Sequence, residues 1–297
     1  MSEASATSRL RVSIELPVHG VGMAQVRELA CAAEAAGLDG VWVPDHLVPL
    51  RPGAPPPLEC WTLLAALAGA TTAVRIGPLV LVVPLRDPVL LGLQARTHAE
   101  VAGERLVLGI GLGGFTYRRA AEALGVVVRE SAERGGALGA ALVRLREAHG
   151  RPPAAPHVPL GLGGRSRAVL EHTARFADGW NCPFVVELGA RNHELDRACA
   201  AVGRDPRAIV RSVYALAAIA GSDAEARRRA DMAGVMARLF GDVEREHVFG
   251  TPAHAAARLR ALAADGADEV ALHLAGDHAR RLETIDLIGR AVLPLLR

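Results

Sequence analysis

No lysine occurs in the chain, so all 34 basic side chains are arginine, and chemistry that runs through a lysine amine, Schiff-base formation first, is excluded. Aromatic residues make up only 3% of the 297 positions, which leaves aliphatic side chains to build the core. Cys31, Cys60, Cys182 and Cys199 are the only cysteines; they lie far apart without a C-x-x-C pair or finger spacing, and read as reduced thiols. Positive and negative residues are interleaved and the net charge is only +2, so there is no basic stripe for nucleic acid. The longest uncharged stretch, Cys60 to Val74, is too short and too rich in Gly and Thr to span a bilayer. Residues 1–9 are small and polar, lack the apolar core of a signal peptide, and are expected to be loose. The sequence therefore predicts a cytoplasmic protein with neither nucleic acid nor membrane as partner.

Several reaction classes lack their motifs. There is no H-E-x-x-H, P-loop, G-x-S-x-G, or G-x-G-x-x-G opening a helix after the first strand, which argues against zinc enzymes, with no metal expected, and against serine hydrolases. Cys60 and Cys182 have no histidine close in sequence and read as structural thiols.

What is present is regular alternation. Strand-like runs at 10–16, 39–43, 74–83, 105–111, 157–163, 178–181, 208–220 and 268–274 are each followed by a helical pattern. Val26, Leu29, Ala30 and Ala33 fall on one helical face with Gly37 as the stop, and Asp87 and Pro88 fit the N-cap and first position of a helix over 89–103. Eight such units predict one (β/α)₈ TIM barrel over 1–297, with loop insertions at its C-terminal face; a Rossmann-type sheet is the alternative. No linker or repeat divides the chain. Catalysis in such a barrel sits at the C-terminal ends of the strands.

Candidate residues cluster at those ends. In "GLGGRSRAVLEHTARFADGWN" (161–181), Gly163 and Gly164 allow the backbone to bend close to a ligand, Ser166 can cap the helix, and Arg165 adds charge beside exposed amides. A phosphate fits such a place, although an ordinary strand-to-helix turn has the same spacing. "GIGLGGFTYRR" (109–119) supplies Gly111, Gly113 and Phe115, with Arg118 and Arg119 beyond. "VPDHLVPL" (43–50) sets Asp45 and His46 side by side after the second strand, an acid able to orient an imidazole that works near neutral pH, or a capped turn with a surface histidine. His19 follows the first strand and could face the same mouth, and with Phe115 it is a candidate substrate contact.

Four segments, "AAEAAGLDGVWVPDHL" (32–47), "AVRIGPLVLVVPLRDPVLLGLQARTHAEVAGERLVLGIGLGG" (73–114), "VPLGLGGRSRAVLEHTARFADGWN" (158–181) and "VFGTPAHAAARLRALAADGADEVALHL" (248–274), occur in the order found in the bacterial luciferase-like family. The chain resembles that family of flavin- and deazaflavin-dependent oxidoreductases over nearly its whole length. The resemblance implies a cofactor ring at the C-terminal mouth. Asp45 and His46 would lie against it near the hydride-bearing carbon, as in the branch that uses coenzyme F420. It further implies that Leu79 and Val80 form a bulge with a non-proline cis peptide under the ring, and that Gly163 to Ser166 hold the phosphate. Where sugar-oxidising relatives carry an acid after the fourth-strand glycines this chain has Gly114, and where many carry tryptophan it has Gly114 and Phe115. The implied activity is hydride transfer between F420 and an organic small molecule, with His46 and Asp45 as catalytic residues. The alternatives are an FMN-dependent monooxygenase served by a partner reductase, and a non-catalytic flavin-binding homologue. A homodimer is also expected; the apolar helices 58–71 and 89–103 either supply its face or are buried inside the monomer.

Overall fold

A computed structural model describes residues 9–51, 53–150, 158–232 and 234–297. Of the segment expected to be loose only Arg9 is described; residues 1–8 lie outside the described residues, as does His157 at the head of the expected fifth strand.

The chain opens with β1 (Arg11–Glu15), α1 (Met23–Ala35), β2 (Gly40–Val43), α2 (Cys60–Ala70), β3 (Arg75–Pro78), β4 (Leu81–Val82) and α3 (Pro88–Ala102). It continues with β5 (Leu108–Gly111), α4 (Tyr117–Ala123), α5 (Ser131–His149), β6 (Leu160–Gly163), α6 (Arg167–Phe176), β7 (Gly179–Cys182) and α7 (Leu188–Ala201). The last third holds β8 (Val210–Ile219), α8 (Asp223–Asp231), α9 (Val235–Phe240), α10 (Val243–Glu246), β9 (Val248–Gly250), α11 (Pro252–Ala264), β10 (Glu269–Leu274), α12 (His278–Leu287) and α13 (Leu293–Leu296).

All strand pairs are parallel, in the order β3-β2-β1-β10-β8-β7-β6-β5-β4, with β9 attached to β8. β3 and β4 are two halves of one stave: β3 pairs β2, β4 pairs β5, and the Ile76–Leu106 bridge closes the ring. The result is a (β/α)₈ barrel, not a Rossmann-type open sheet. Two differences from the expected strands are instructive. The run 74–83 is interrupted at Leu79–Val80, a cis peptide bond, and β9 is an extra three-residue strand. The stretch after β5 also folds into α4, whose seven residues are too few to show a periodic pattern.

Helix ends follow local chemistry. Asp87 accepts hydrogen bonds from the amides of Val89 and Leu90, with Pro88 as the first helical residue, and Gly37 ends α1 at φ +78°. Val26, Leu29, Ala30 and Ala33 are buried on one face of α1. Outward-facing strand residues such as Ile14, Val41, Ile76, Leu108, Leu162, Val213 and Leu272 pack with the helices into one apolar core. The inside of the barrel differs. Its inward positions carry Ser13, Glu15, Trp42, Asn181, Tyr214, Glu269 and several glycines, where barrels of this kind usually hold branched aliphatic side chains.

Candidate active site

Pro44, Asp45 and His46 follow β2 at the C-terminal mouth. His46 Nδ1 lies 2.8 Å from Nε2 of His19, which sits in the loop after β1. The ring centroids are 4.9 Å apart, and Phe115 approaches His46 edge-on at 6.1 Å. Burial drives the His46 pKa down to about 4; Glu15 pulls it up, and His19 and His273 push it further down. Burial also lowers His19. Both imidazoles are then neutral at pH 7, so one ring nitrogen donates its proton to the other's lone pair. The outer Nε2 of His46 is a base or an acid depending on which ring is the donor.

The sequence reading missed a second group, on β1, β8 and β10. Glu15 Oε1 accepts from His273 Nδ1 at 2.9 Å and from the Tyr214 hydroxyl at 3.4 Å. Burial raises the Tyr214 phenol well above its ordinary value and Glu15 adds to the effect, so the hydroxyl stays protonated and donates. Arg281 on α12 donates to the Leu274 carbonyl at 3.2 Å; its pKa is lowered by burial, against the opposing pull of Asp277 and Glu15. A signal for these residues was present. In "LRVSIEL" Arg11, Ser13 and Glu15 are polar at every second position, and in "DEVALHL" Glu269 and His273 share one face with the small Ala271 between them, which places Glu15 and His273 inside the barrel near its catalytic end.

Asp45 corrects the sequence reading. It was expected to orient His46 or to touch the ring, but its buried carboxylate faces β4 instead. Oδ2 accepts from the Val82 amide at 2.9 Å, and Arg86 donates to both oxygens, at 2.6 and 3.3 Å. Arg86 also reaches Glu59 at 3.1 Å, at the cap of α2. Burial alone would lower the Arg86 pKa, but Asp45 and Glu59 outweigh it and raise it. A buried carboxylate needs a charged, hydrogen-bonded partner, and Arg86 is that partner. Asp45 thus braces the His46 loop against β4.

The predicted glycines divide in two. Gly111 and Gly163 open space for a side chain of the protein itself: a Cβ there would come within 2.5 and 2.7 Å of the Val80 methyls. Gly113, at φ +85°, is closed in by Val82 and Tyr117. Gly114, in contrast, faces open space, and Gly164 has φ +134°. Leu79 packs beside the cluster that contains Tyr214 and Leu216, so Leu79 and Val80 form a floor across the barrel. In the loop after β6, Ser166 Oγ caps α6 through the Val169 amide at 3.4 Å. Arg165 pairs with Glu187 and lies 5.0 Å from the Phe184 ring. Arg118 is an exposed partner of Glu130, and Arg119 holds the Pro49 carbonyl. Neither buried thiol is ready to attack: burial raises Cys60 well above its ordinary value, and Cys182 to about 11.

The sequence pattern of luciferase-like monooxygenases matches residues 6–289. The chain belongs to the luciferase-like monooxygenase family. Among family relatives, an uncharacterised protein of Mycobacterium tuberculosis is 31% identical over 210 residues, 59% of this chain and 69% of that protein. An F420-dependent glucose-6-phosphate dehydrogenase of Amycolatopsis mediterranei is 34% identical over 107 residues, 35% of this chain and 32% of the enzyme. The structure of an F420-dependent secondary alcohol dehydrogenase with an F420–acetone adduct superposes with a TM-score of 0.82 at 15% identity, over 97% of this chain and 99% of that one. An FMN complex of a type II Baeyer–Villiger monooxygenase from Pseudomonas putida reaches 0.74 at 16% identity, over 96% and 98%. At such identities the likeness establishes the barrel fold shared by the family. No helix among the described residues is long and apolar enough to cross a membrane.

Proposed function

We propose that this chain is an F420-dependent oxidoreductase that moves a hydride between the deazaflavin and an organic small molecule. The observation that carries the reading is the neutral His46–His19 pair at the mouth of the barrel, above the Leu79–Val80 floor. The surroundings fit a flat ring with a phosphate tail. Leu79 and Val80 would underlie the ring, His46 and Phe115 would flank it, the open space at Gly114 leaves room beside them, and Gly164, Arg165 and Ser166 would hold the phosphate at the start of α6. When bound, the deazaflavin supplies two-electron hydride chemistry. The protein's own residues handle the proton. His46 Nε2 holds or receives it at the substrate, and His19 fixes which tautomer of His46 is present. Glu15, hydrogen-bonded to His273, offsets the positive charge on His46 while it is protonated. Arg165 and Ser166 fix the cofactor, and Asp45 keeps the His46 loop in place through Arg86.

The monooxygenase description of the family supports a second reading, FMN delivered by a partner reductase and reaction with oxygen. Fluorescence titration of cofactor-free protein with F420 and separately with FMN tests both. Saturable binding of F420 in preference to FMN is the expected result. Preference for FMN overturns the deazaflavin reading in favour of the second, and binding of neither overturns both.

A further inference from the structure

Beneath the Leu79–Val80 floor, the N-terminal half of the barrel holds a cavity of about 400 Å³ that is open to solvent, within the range of small-molecule sites. One wall is a row of glycines: Gly109 pairs with Gly161 and Gly161 with Gly179 across β5, β6 and β7. Glycine in the middle of a strand costs stability and marks a close approach of backbone or ligand. For Gly109 the reason is internal, because a Cβ would lie 2.1 Å from the Pro78 carbonyl. For Gly161 there is no such reason. Its φ is not positive, and the nearest atom to an added Cβ is 3.9 Å away. What the glycine at 161 preserves is the empty volume.

The polar groups of the opposite wall define what fits. Glu269 is saturated: Ser13 and the Trp42 indole donate to Oε1 at 2.5 and 3.0 Å, and Arg75 donates to Oε2 at 2.8 Å. Arg11 and Arg75 face three carboxylates around the cavity, those of Glu104, Asp178 and Glu269, which disfavours an anion. Asn181 donates to Ser212 Oγ at 2.9 Å, and its carbonyl oxygen has no partner among the described residues. Bare peptide planes on one side, the Trp42 indole on the other, the unfilled Asn181 oxygen, and the Arg11 Nε–H buried without a hydrogen-bond partner among the described residues suit a flat, uncharged, mostly apolar heteroaromatic molecule with one N–H and a ring acceptor.

We propose that this lower compartment is a second ligand site, separate from the cofactor mouth, for a neutral planar heteroaromatic molecule whose N–H meets Asn181. The inference is independent of the reaction proposed above. The probe is 5-fluoroindazole, followed by fluorine NMR with the intact protein. Expected is a saturable shift or broadening with the parent protein, unchanged in His46→Ala and at least tenfold weaker in Gly161→Leu, whose side chain fills the cavity. Gly161→Leu should also melt no lower than the parent, because it fills a void. If that variant does not fold, Gly161→Ala decides: a threefold or greater weakening supports the site. Absence of saturable binding to the parent overturns the proposal. So does undiminished binding to a folded Gly161→Leu, to Gly161→Ala where that variant decides, or loss of binding in His46→Ala, which would put the probe in the mouth.

Discussion

At the scale of single residues, the proposed chemistry turns on how His46 and Asp45 are held. His46→Ala is expected to lower kcat by about 10²–10⁴-fold while the F420 dissociation constant, read by fluorescence titration, changes far less. Unchanged turnover would remove the histidine from the reaction. The lowered pKa of His46 also makes a stability prediction. Below pH 6.5 the unfolded chain takes up a proton that the folded site refuses until about pH 4. Stability should therefore fall as pH drops through that window, because the unfolded state binds more protons. Urea unfolding between pH 4 and 7 should show this slope in the parent and a shallower one in His46→Asn. Arg86→Met leaves the Asp45 carboxylate buried without its cation, and should cost about 3–5 kcal/mol in the same assay. The two neighbours Asp45 and His46 thus separate into a brace held by Arg86 and an imidazole paired with His19, the proposed carrier of the proton; adjacency in sequence does not reveal the difference. The pairing of Glu15 with His273 depends on β1 meeting β10 in the register Glu15↔His273, a fact of closure that the alternation within each strand does not carry.

At the scale of elements, legibility follows from how local the determining forces are. Each barrel stave was readable from its apolar run, and the caps of α3 and α6 from Asp87 and Ser166, since a cap needs only its own first turn. The break between β3 and β4 was not readable from the apolar residues of "VRIGPLVLVV", which look continuous; only the family resemblance pointed to Leu79 and Val80. The short β9 needs its partner β8 to exist at all. One element contact is also a clear target. Glu34 on α1 accepts hydrogen bonds from the amides of Thr72, Ala73 and Val74 just before β3, and from the Thr72 hydroxyl. Burial works to raise its pKa, but these hydrogen bonds prevail and hold it at about 2. The stability it contributes is complete above about pH 4.5 and is lost as pH falls toward 2. Glu34→Ala should lower stability by about 1–2 kcal/mol at pH 7, as loss of a capping side chain does, and should flatten the acid limb of the urea-midpoint profile.

At the scale of the whole molecule, a cofactor that binds only the folded barrel must stabilise it. F420 at about 100 times its dissociation constant should add about 2.7 kcal/mol, seen as a higher melting temperature, with FMN at the same concentration giving less; equal shifts would contradict the preference proposed for the deazaflavin. The barrel itself was legible because eight alternating units leave few ways to bury both faces of a parallel sheet. Its hollow interior was not, since the glycines of β5, β6 and β7 become a wall only once the strands are in register. The floor built by Leu79 and Val80 carries a further consequence. These two side chains are the base of the upper chamber and the ceiling of the lower one, so the barrel behaves as two rooms with a shared partition. Any substitution at 79 or 80 alters the height of both rooms together, and a change in one ligand's affinity there cannot be credited to one room until the other has been measured.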